Sequence, residues 1–392
     1  MNARAPYDVD HRLALAALAL LGLGLVMVSS ASITIADRAL HQPFYYGLRQ
    51  AAYIGVGLLL GLAVLRTRLM YWEKAGPLLL VFGLLLLALV LIPGVGRQVN
   101  GSTRWLALGP FNFQPSEMVK LFVVVYLAGY LVRRGAMVGA SARAFLQPMM
   151  LAGLIAALLL MEPDFGAAVV VLATALGMLF LGGVRLWQFG MLMVLVGAAF
   201  AALAFSSPYR LQRLTAFLNP WADPFNSGFQ LTQALIAFGR GEWLGVGLGG
   251  GIQKLFYLPE AHTDFLFAVL AEELGLLGAF AVIALFSLLV WRAFALGRRA
   301  ELAGNRFAAF LAYGVALWLA LQTLINLGVN MGVLPTKGLT LPLMSYGGSS
   351  IVMSCVAVAL LLRVDYEVPS KQNTRSRVTQ NQARPSLLRR AA

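Results

Sequence analysis

Residues 75–92 read AGPLLLVFGLLLLALVLI, an apolar run without a single charge. An α-helix rises about 1.5 Å per residue and the hydrocarbon core of a bilayer is about 30 Å thick, so a run of this length is close to one crossing. Lipid offers backbone amides no partner, and only a closed hydrogen-bonding structure survives there. Working outward from this stretch, comparable runs occur at 13–31, 45–65, 115–132, 145–161, 165–182, 187–205, 265–291, 307–328 and 349–362. The whole 392-residue chain is 60% hydrophobic and only 12% charged, against about a quarter charged in soluble proteins. An ordinary soluble enzyme is excluded. The predicted fold class is an all-α polytopic membrane protein of ten transmembrane helices. Residues 1–365 are expected to form one domain, with a long loop over 206–263 between the seventh and eighth helices. Residues 366–392 form a basic tail expected to be disordered.

The formal net charge of +14 would suggest nucleic acid in a soluble protein, but its distribution says otherwise. With the N-terminus placed in the cytoplasm, Arg4, Arg12, Arg66, Arg68, Lys74, Arg133, Arg134, Arg143, Arg185, Arg292, Arg298, Arg299 and Arg306 fall on the inner side, together with every basic residue from Arg363 onward. That is 20 of the 30 basic residues. The positive-inside rule therefore predicts that both termini are cytoplasmic. The basic excess is read as a topology signal, and no nucleic-acid partner is expected. The lone Cys355 lies in the last apolar run, where a small packing role fits and a disulfide within the chain is impossible. Gly57 and Gly61 form a GxxxG in the second run, which reads as close helix packing.

The polar exceptions share one side. Glu117 and Lys120 open the fourth run behind Pro115. The macrodipole suits Glu117 in a first helical turn, but Lys120 sits roughly 7–8 Å past the helix start. Intramembrane ionisable residues are functional candidates, so a polar cavity is expected here. Glu162 and Asp164 flank Pro163 in the outer turn between the fifth and sixth runs. Asp264, at the outer mouth of the eighth, suits either a helix cap or a carboxylate with a raised pKa acting as a general base. Glu272 and Glu273 lie deeper in the same run and need a partner or a cavity. His262 reads as a hydrogen-bonding loop residue rather than a metal ligand. Residues 230–238 suggest a short amphipathic helix lying against the membrane, and Gly245 to Gly251 a hinge or close-packed turn. No strand precedes those glycines and no GK[ST] follows them, which excludes a P-loop. The last outer loop, from Asn330 to Ser350, contributes Lys337 and Ser345. Cations beside carboxylates on one face predict a substrate with an anionic headgroup and an acid–base step, with Arg104, Glu117, Lys120, Asp164, Glu162, Lys337 and Ser345 in its binding site.

The segments NGSTRWLALGPFNFQPSEMVKL, PDFGAA, LPEAHTDFLFAVLAEELG and MGVLPTKGLTLPLMSYGGSS resemble, in order and spacing, the motifs of the SEDS family of peptidoglycan glycosyltransferases. The LPTKGLTLPL form of the last loop is similar to the division-type members. The resemblance covers residues 10–365. It implies a ten-helix inner-membrane enzyme that joins lipid II into glycan strands at the periplasmic face of the division septum. It also implies that Asp264 is the catalytic carboxylate, that Glu117 and Lys120 line the central cavity, and that Arg104 and Asp164 are further polar positions of it. In the implied reaction Asp264 takes a proton from the acceptor's 4-hydroxyl. The oxygen attacks the donor's anomeric carbon with inversion, and undecaprenyl pyrophosphate leaves. Arg104, Lys120 or a divalent cation, Mg or Mn, would hold the leaving charge. The implied partners are lipid II, the nascent glycan strand, membrane lipid, a class B penicillin-binding protein of the FtsI type, and activators of the FtsQ, FtsL and FtsB type. A lipid II flippase and a non-catalytic division scaffold remain as alternative readings of the same cavity.

Overall fold

The computed structural model of the chain describes residues 10–99, 102–109, 111–138, 141–205, 217–335 and 338–368. Ten long helices follow the ten apolar runs: α1 (His11–Leu40), α2 (Tyr45–Arg66), α3 (Leu69–Val90), α4 (Pro115–Val138), α5 (Ala142–Met161), α6 (Phe165–Leu181), α7 (Leu186–Phe205), α9 (Leu266–Leu302), α10 (Arg306–Asn330) and α11 (Gly348–Glu367). The short α8 (Phe229–Gly241) lies between α7 and α9. Eight of the ten are long and apolar enough to cross a membrane, and α6 is a shorter apolar helix of 17 residues. The chain is a multi-pass membrane protein. Both α1 and α9 run past their predicted ends, because apolarity marks only the lipid-immersed part of a helix. In α9 the extension RAFALGRRAEL is made of good helix formers and buries Ala293, Leu296, Gly297 and Ala300. α11 likewise continues to Glu367, two residues past the expected domain edge. The tail from 369 onward lies outside the described residues.

One element departs from the all-helical expectation. Gly96–Val99 (β1), Ser102–Leu108 (β2) and Phe111–Phe113 (β3) form a three-stranded antiparallel sheet. Val99 pairs with Ser102 and Leu106 with Phe113. The Asn100-Gly101 pair in the sequence between β1 and β2 is the strongest short-range hairpin signal, and it stands between runs of β-prone residues.

α4 is the hub, packing against α3, α5, α6 and α10. α2 lies along α11, where a Cβ on Gly57 would stand 2.9 Å from Cys355 Sγ and one on Gly61 3.4 Å from Ala359 Cβ. The GxxxG and the lone cysteine are thus two sides of one close helix contact. A charged clasp closes the end of the bundle where residues 10 and 368 lie. Asp10 caps α1 and pairs with Arg292, and its amide donates to Asp365 Oδ2 at 2.7 Å. Arg299 holds Asp365 at 2.6 Å, and Glu367 accepts from the Leu69 amide at 3.0 Å. The opposite end carries the sheet, α8 and the loops that precede α9 and α11.

α9 is not one continuous helix. Gly275 has φ 67° and ψ −167°, outside the helical region, and splits the element. Glycine alone tolerates that backbone, and a Cβ there would also meet Trp243. The break frees carbonyls and amides of α9, and the chain after α8 takes them up. The amides of Val246 and Gly247 donate to the carbonyls of Glu272 and Glu273 at 3.0 and 3.1 Å, while the amides of Leu276 and Leu277 donate to the carbonyls of Glu242 and Trp243. The two carboxylates are fully buried and fully engaged. Glu272 pairs with Arg240 at 3.0 Å and accepts from the amides of Ile252 and Gln253. Glu273 pairs with Lys254 at 2.6 Å and accepts from Ser30 and from the Gly249 amide. The partner those acidic residues required is a salt-bridged loop. Removing one member of a buried ion pair costs about 3–5 kcal/mol, whereas losing a hydrogen bond to a charged group, as Ser30 makes to Glu273, costs about 1.5–3 kcal/mol. Glu273→Ala is therefore expected to melt further below wild type in detergent than Ser30→Ala. Equal melting temperatures by tryptophan fluorescence would sink the ion-pair account.

Candidate active site

A cavity of about 430 Å³ opens at the sheet end of the bundle. Arg104 and Trp105 of β2, Asn112 of β3, Gln114, Glu117 of α4, and Asp164 at the start of α6 line one side. Glu260, Thr263 and Asp264 come from the loop before α9, while Thr340 and Tyr346 come from the loop before α11. Arg49 and Tyr53 of α2 complete the wall. Three helices, two strands and two loops from distant parts of the chain thus converge on one space.

Asp264 is placed by its backbone. Its carbonyl accepts from Asn326 Nδ2 and Asn330 Nδ2, each at 2.9 Å. Asn326 also donates to the Leu339 carbonyl at 2.6 Å, which draws the last loop against the same point. A Cβ on Gly338 would stand 3.1 Å from Asp264 Oδ2, so a glycine there lets the loop approach the carboxylate. No described residue hydrogen-bonds that carboxylate, which leaves it available to a ligand. Burial pushes its pKa up to about 7, with Glu260 and Asp164 raising it further and Arg104 opposing them. The carboxylate therefore titrates near neutral pH, where a general base works best.

Arg104 and Asp164 pair along that side of the cavity at 3.7 Å. Arg104 also donates to Ser102 Oγ and to the Pro163 carbonyl, which leaves its guanidinium fixed at the wall. Asp164 caps α6 by accepting from the Ala167 amide at 3.2 Å, and Gln114 and Ser116 both donate to it at 3.1 Å. On the far side, Arg49 donates to Tyr45 Oη at 2.6 Å and lies over the rings of Tyr45 and Tyr53. His262 stands among aromatic rings. Its ring packs between Tyr46 and Tyr346 at 4.8 and 5.5 Å, and its carbonyl accepts from the Tyr346 amide. Burial lowers its pKa, so the ring is neutral at pH 7.

The expected site residues divide into three groups. Asp264, Arg104, Glu117 and Asp164 line the cavity. Lys120, Glu162 and Ser345 do not: Lys120 is 2% exposed and lies behind Glu117, bonded to it and to Gln322 Oε1 at 2.8 and 2.7 Å, over the ring of Trp318. Its charge is spent on orienting Glu117. Ser345 is buried in the last loop, accepting from the Leu341 amide to close a turn. Glu162 is fully buried with neither carboxylate oxygen partnered among the described residues, and burial together with Asp164 pushes its pKa up to about 9. It is a neutral acid at pH 7. Lys337 lies outside the described residues.

Sequence reading missed the polar stripe Gln322, Asn326 and Asn330 on α10, which holds Lys120, Leu339 and Asp264 in turn. Its spacing of four is the helical repeat on one face, and polar residues at that period in an apolar run are the signal that was available. Arg49, Tyr53 and Glu260 were also missed. Among the described residues no three His, Cys, Asp or Glu side chains come together to hold a metal ion.

The Cell cycle protein family model of FtsW, RodA and SpoVE matches residues 11–370. The chain belongs to the FtsW/RodA/SpoVE family of membrane proteins. It is 66% identical over 352 residues to the probable peptidoglycan glycosyltransferase FtsW of Nitrosococcus halophilus, covering 90% of this chain and 91% of that one. It is 57% identical to the FtsW of the same description from Legionella pneumophila, over 89% of this chain and 88% of that one. Among solved structures, it matches a chain of a peptidoglycan synthase complex that couples polymerization and crosslinking, with a TM-score of 0.76 and 31% identity over 93% of this chain and 99% of that one. The rod shape determining protein RodA of Thermus thermophilus matches with a TM-score of 0.68 and 30% identity, over 93% of this chain and 99% of that one.

Two outcomes follow from the buried groups. A carboxyl whose folded pKa exceeds its unfolded value keeps a proton that the unfolded chain has already lost. Its share of stability therefore falls as pH rises from about 4.5 toward about 9. Glu162→Gln is expected to flatten that slope in melting curves taken across this range, and an unchanged slope would mean that Glu162 ionises in place. Glu117→Gln and Lys120→Met should each destabilise the protein, with the double variant losing less than their sum by about 0.5–3 kcal/mol. Strict additivity in a thermal double-mutant cycle would contradict the pairing.

Proposed function

We propose that the chain polymerises lipid II into glycan strands at the periplasmic face of the division septum, with Asp264 as general base. A peptidoglycan glycosyltransferase by kinship, it needs one group to deprotonate an acceptor hydroxyl and others to hold a departing pyrophosphate. The observation that carries the assignment is Asp264 itself: a carboxylate without a hydrogen bond from the described residues, titrating near 7, in a cavity that two arginines line. Asp264 removes the proton from the acceptor sugar's 4-hydroxyl as its oxygen bonds to the donor's anomeric carbon. The bond from that carbon to the pyrophosphate oxygen breaks, the configuration inverts, and undecaprenyl pyrophosphate departs with the electron pair. Arg104, rather than the enclosed Lys120, is the cation at the wall for the developing charge.

Kinship and the positive-inside distribution support cytoplasmic termini, which puts the cavity end outward. The structural match to a peptidoglycan synthase complex supports a crosslinking partner, a class B penicillin-binding protein of the FtsI type, acting with activators of the FtsQ, FtsL and FtsB type.

Reconstituted with lipid II and its crosslinking partner, Asp264→Ala is expected to lose at least about 10²-fold in polymer formation. The base must be ionised to act. Wild-type kcat/KM should therefore fall about tenfold per pH unit below about 7 and level off above it. Polymer from Asp264→Ala at the wild-type rate would remove Asp264 from the reaction. Lipid II transport without polymer from either protein would assign the cavity to a flippase.

A further inference from the structure

Residues 243–256, between α8 and the helix break, are built inside out. Their charged and polar side chains are the buried ones: Lys254 is 6% exposed with its ammonium on Glu273, and Gln253 is buried beside it with its backbone amide donating to Glu272. Their apolar residues are the exposed ones. Leu244 is 77% exposed, and Trp243, Leu248, Ile252, Leu255 and Phe256 are also open at the surface. A loop solvated by water would invert this arrangement, since a lysine head costs several kcal/mol to desolvate and leucine favours burial.

The backbone shows the same inversion. Five amides between Val246 and Gln253 donate to Glu272 or Glu273, two to their carbonyls and three to their carboxylates. Water would satisfy such amides without help. Irregular backbone at membrane depth, by contrast, must find every partner within the protein. Arg240 and Lys254 cancel the two carboxylates that provide those partners. The exposed apolar face is also continuous with a spanning helix: the carbonyls of Glu242 and Trp243 bind the amides of Leu276 and Leu277, and from there α9 presents Leu277 and Phe280 outward.

We propose that residues 243–256 are a re-entrant segment inserted into the bilayer, with Trp243, Leu244 and Leu248 in contact with lipid acyl chains, and with the Glu272–Glu273 pair serving as the internal hydrogen-bond acceptor that makes insertion possible. The segment is part of the membrane-embedded surface of the protein and not an extramembrane loop. Its occupant is lipid hydrocarbon, not a partner polypeptide.

The test uses the full chain alone in nanodiscs. Single cysteines at Leu244→Cys and Leu248→Cys, in a Cys355→Ala background, carry a bimane label, and Asp37→Cys at the exposed end of α1 is the water-facing control. Phospholipids brominated on the acyl chains are expected to quench the labels at 244 and 248 several-fold more than the control. Aqueous iodide should show the reverse order. Iodide quenching at 244 and 248 without an effect of brominated lipid would overturn the proposal, as would quenching by neither, which would mean that protein covers the segment. Glycosyltransferase activity does not enter the readout, so the result is independent of the role assigned to Asp264.

Discussion

Inside hydrocarbon there is no water to satisfy a broken hydrogen bond or to solvate a charge, and this constraint shapes every irregular feature of the molecule. The helices meet it by bonding within themselves. Where α9 breaks at Gly275, the chain after α8 must supply what the helix no longer can, and the amides and carbonyls on either side of the break pair with residues 242–247. Glu272 and Glu273 extend the same service to the amides beyond, and each brings in a cation of its own. The acidic pair is therefore a scaffold. It fixes the loop that leads into α9 and so fixes where Asp264 stands.

The cavity meets the constraint differently, by keeping most of its charges paired and leaving one available. Lys120 is consumed by Glu117 and Gln322, and Asp164 is held by Arg104, Gln114 and Ser116. Glu162 avoids the problem by staying protonated. Asp264 has its backbone pinned and, unlike the enclosed Glu162, opens onto the cavity with its carboxylate free of hydrogen bonds from the described residues. The proposed reaction, which moves one proton and releases one anion, would draw on this imbalance.

Most of the fold was legible in the sequence because apolar length is a one-dimensional quantity. All ten runs became helices, and the GxxxG became the α2–α11 contact. The sheet was less legible, since Asn-Gly between short β-prone runs sat inside a stretch read for its charged residues. The site was legible by residue type and side but not by depth. Lys120 and Glu117 share a helix face, yet only Glu117 reaches the cavity, and Ser345 turns inward while its neighbour Tyr346 lines the wall. Arg49, some fifty residues before the nearest expected site residue, gave no local sign of belonging.

Apolar run length and charge placement, both properties of the chain taken a segment at a time, determined that this is a many-helix membrane protein with its candidate site residues gathered at one end. The tertiary structure alone decided which of those residues face a shared space and which are spent on one another. It alone showed that α9 is broken and that its buried acids hold an inverted loop. The physical reason is that pairing and desolvation depend on distances between segments far apart in sequence. A carboxylate that is a base in one packing is a salt bridge, a helix cap or a neutral acid in another.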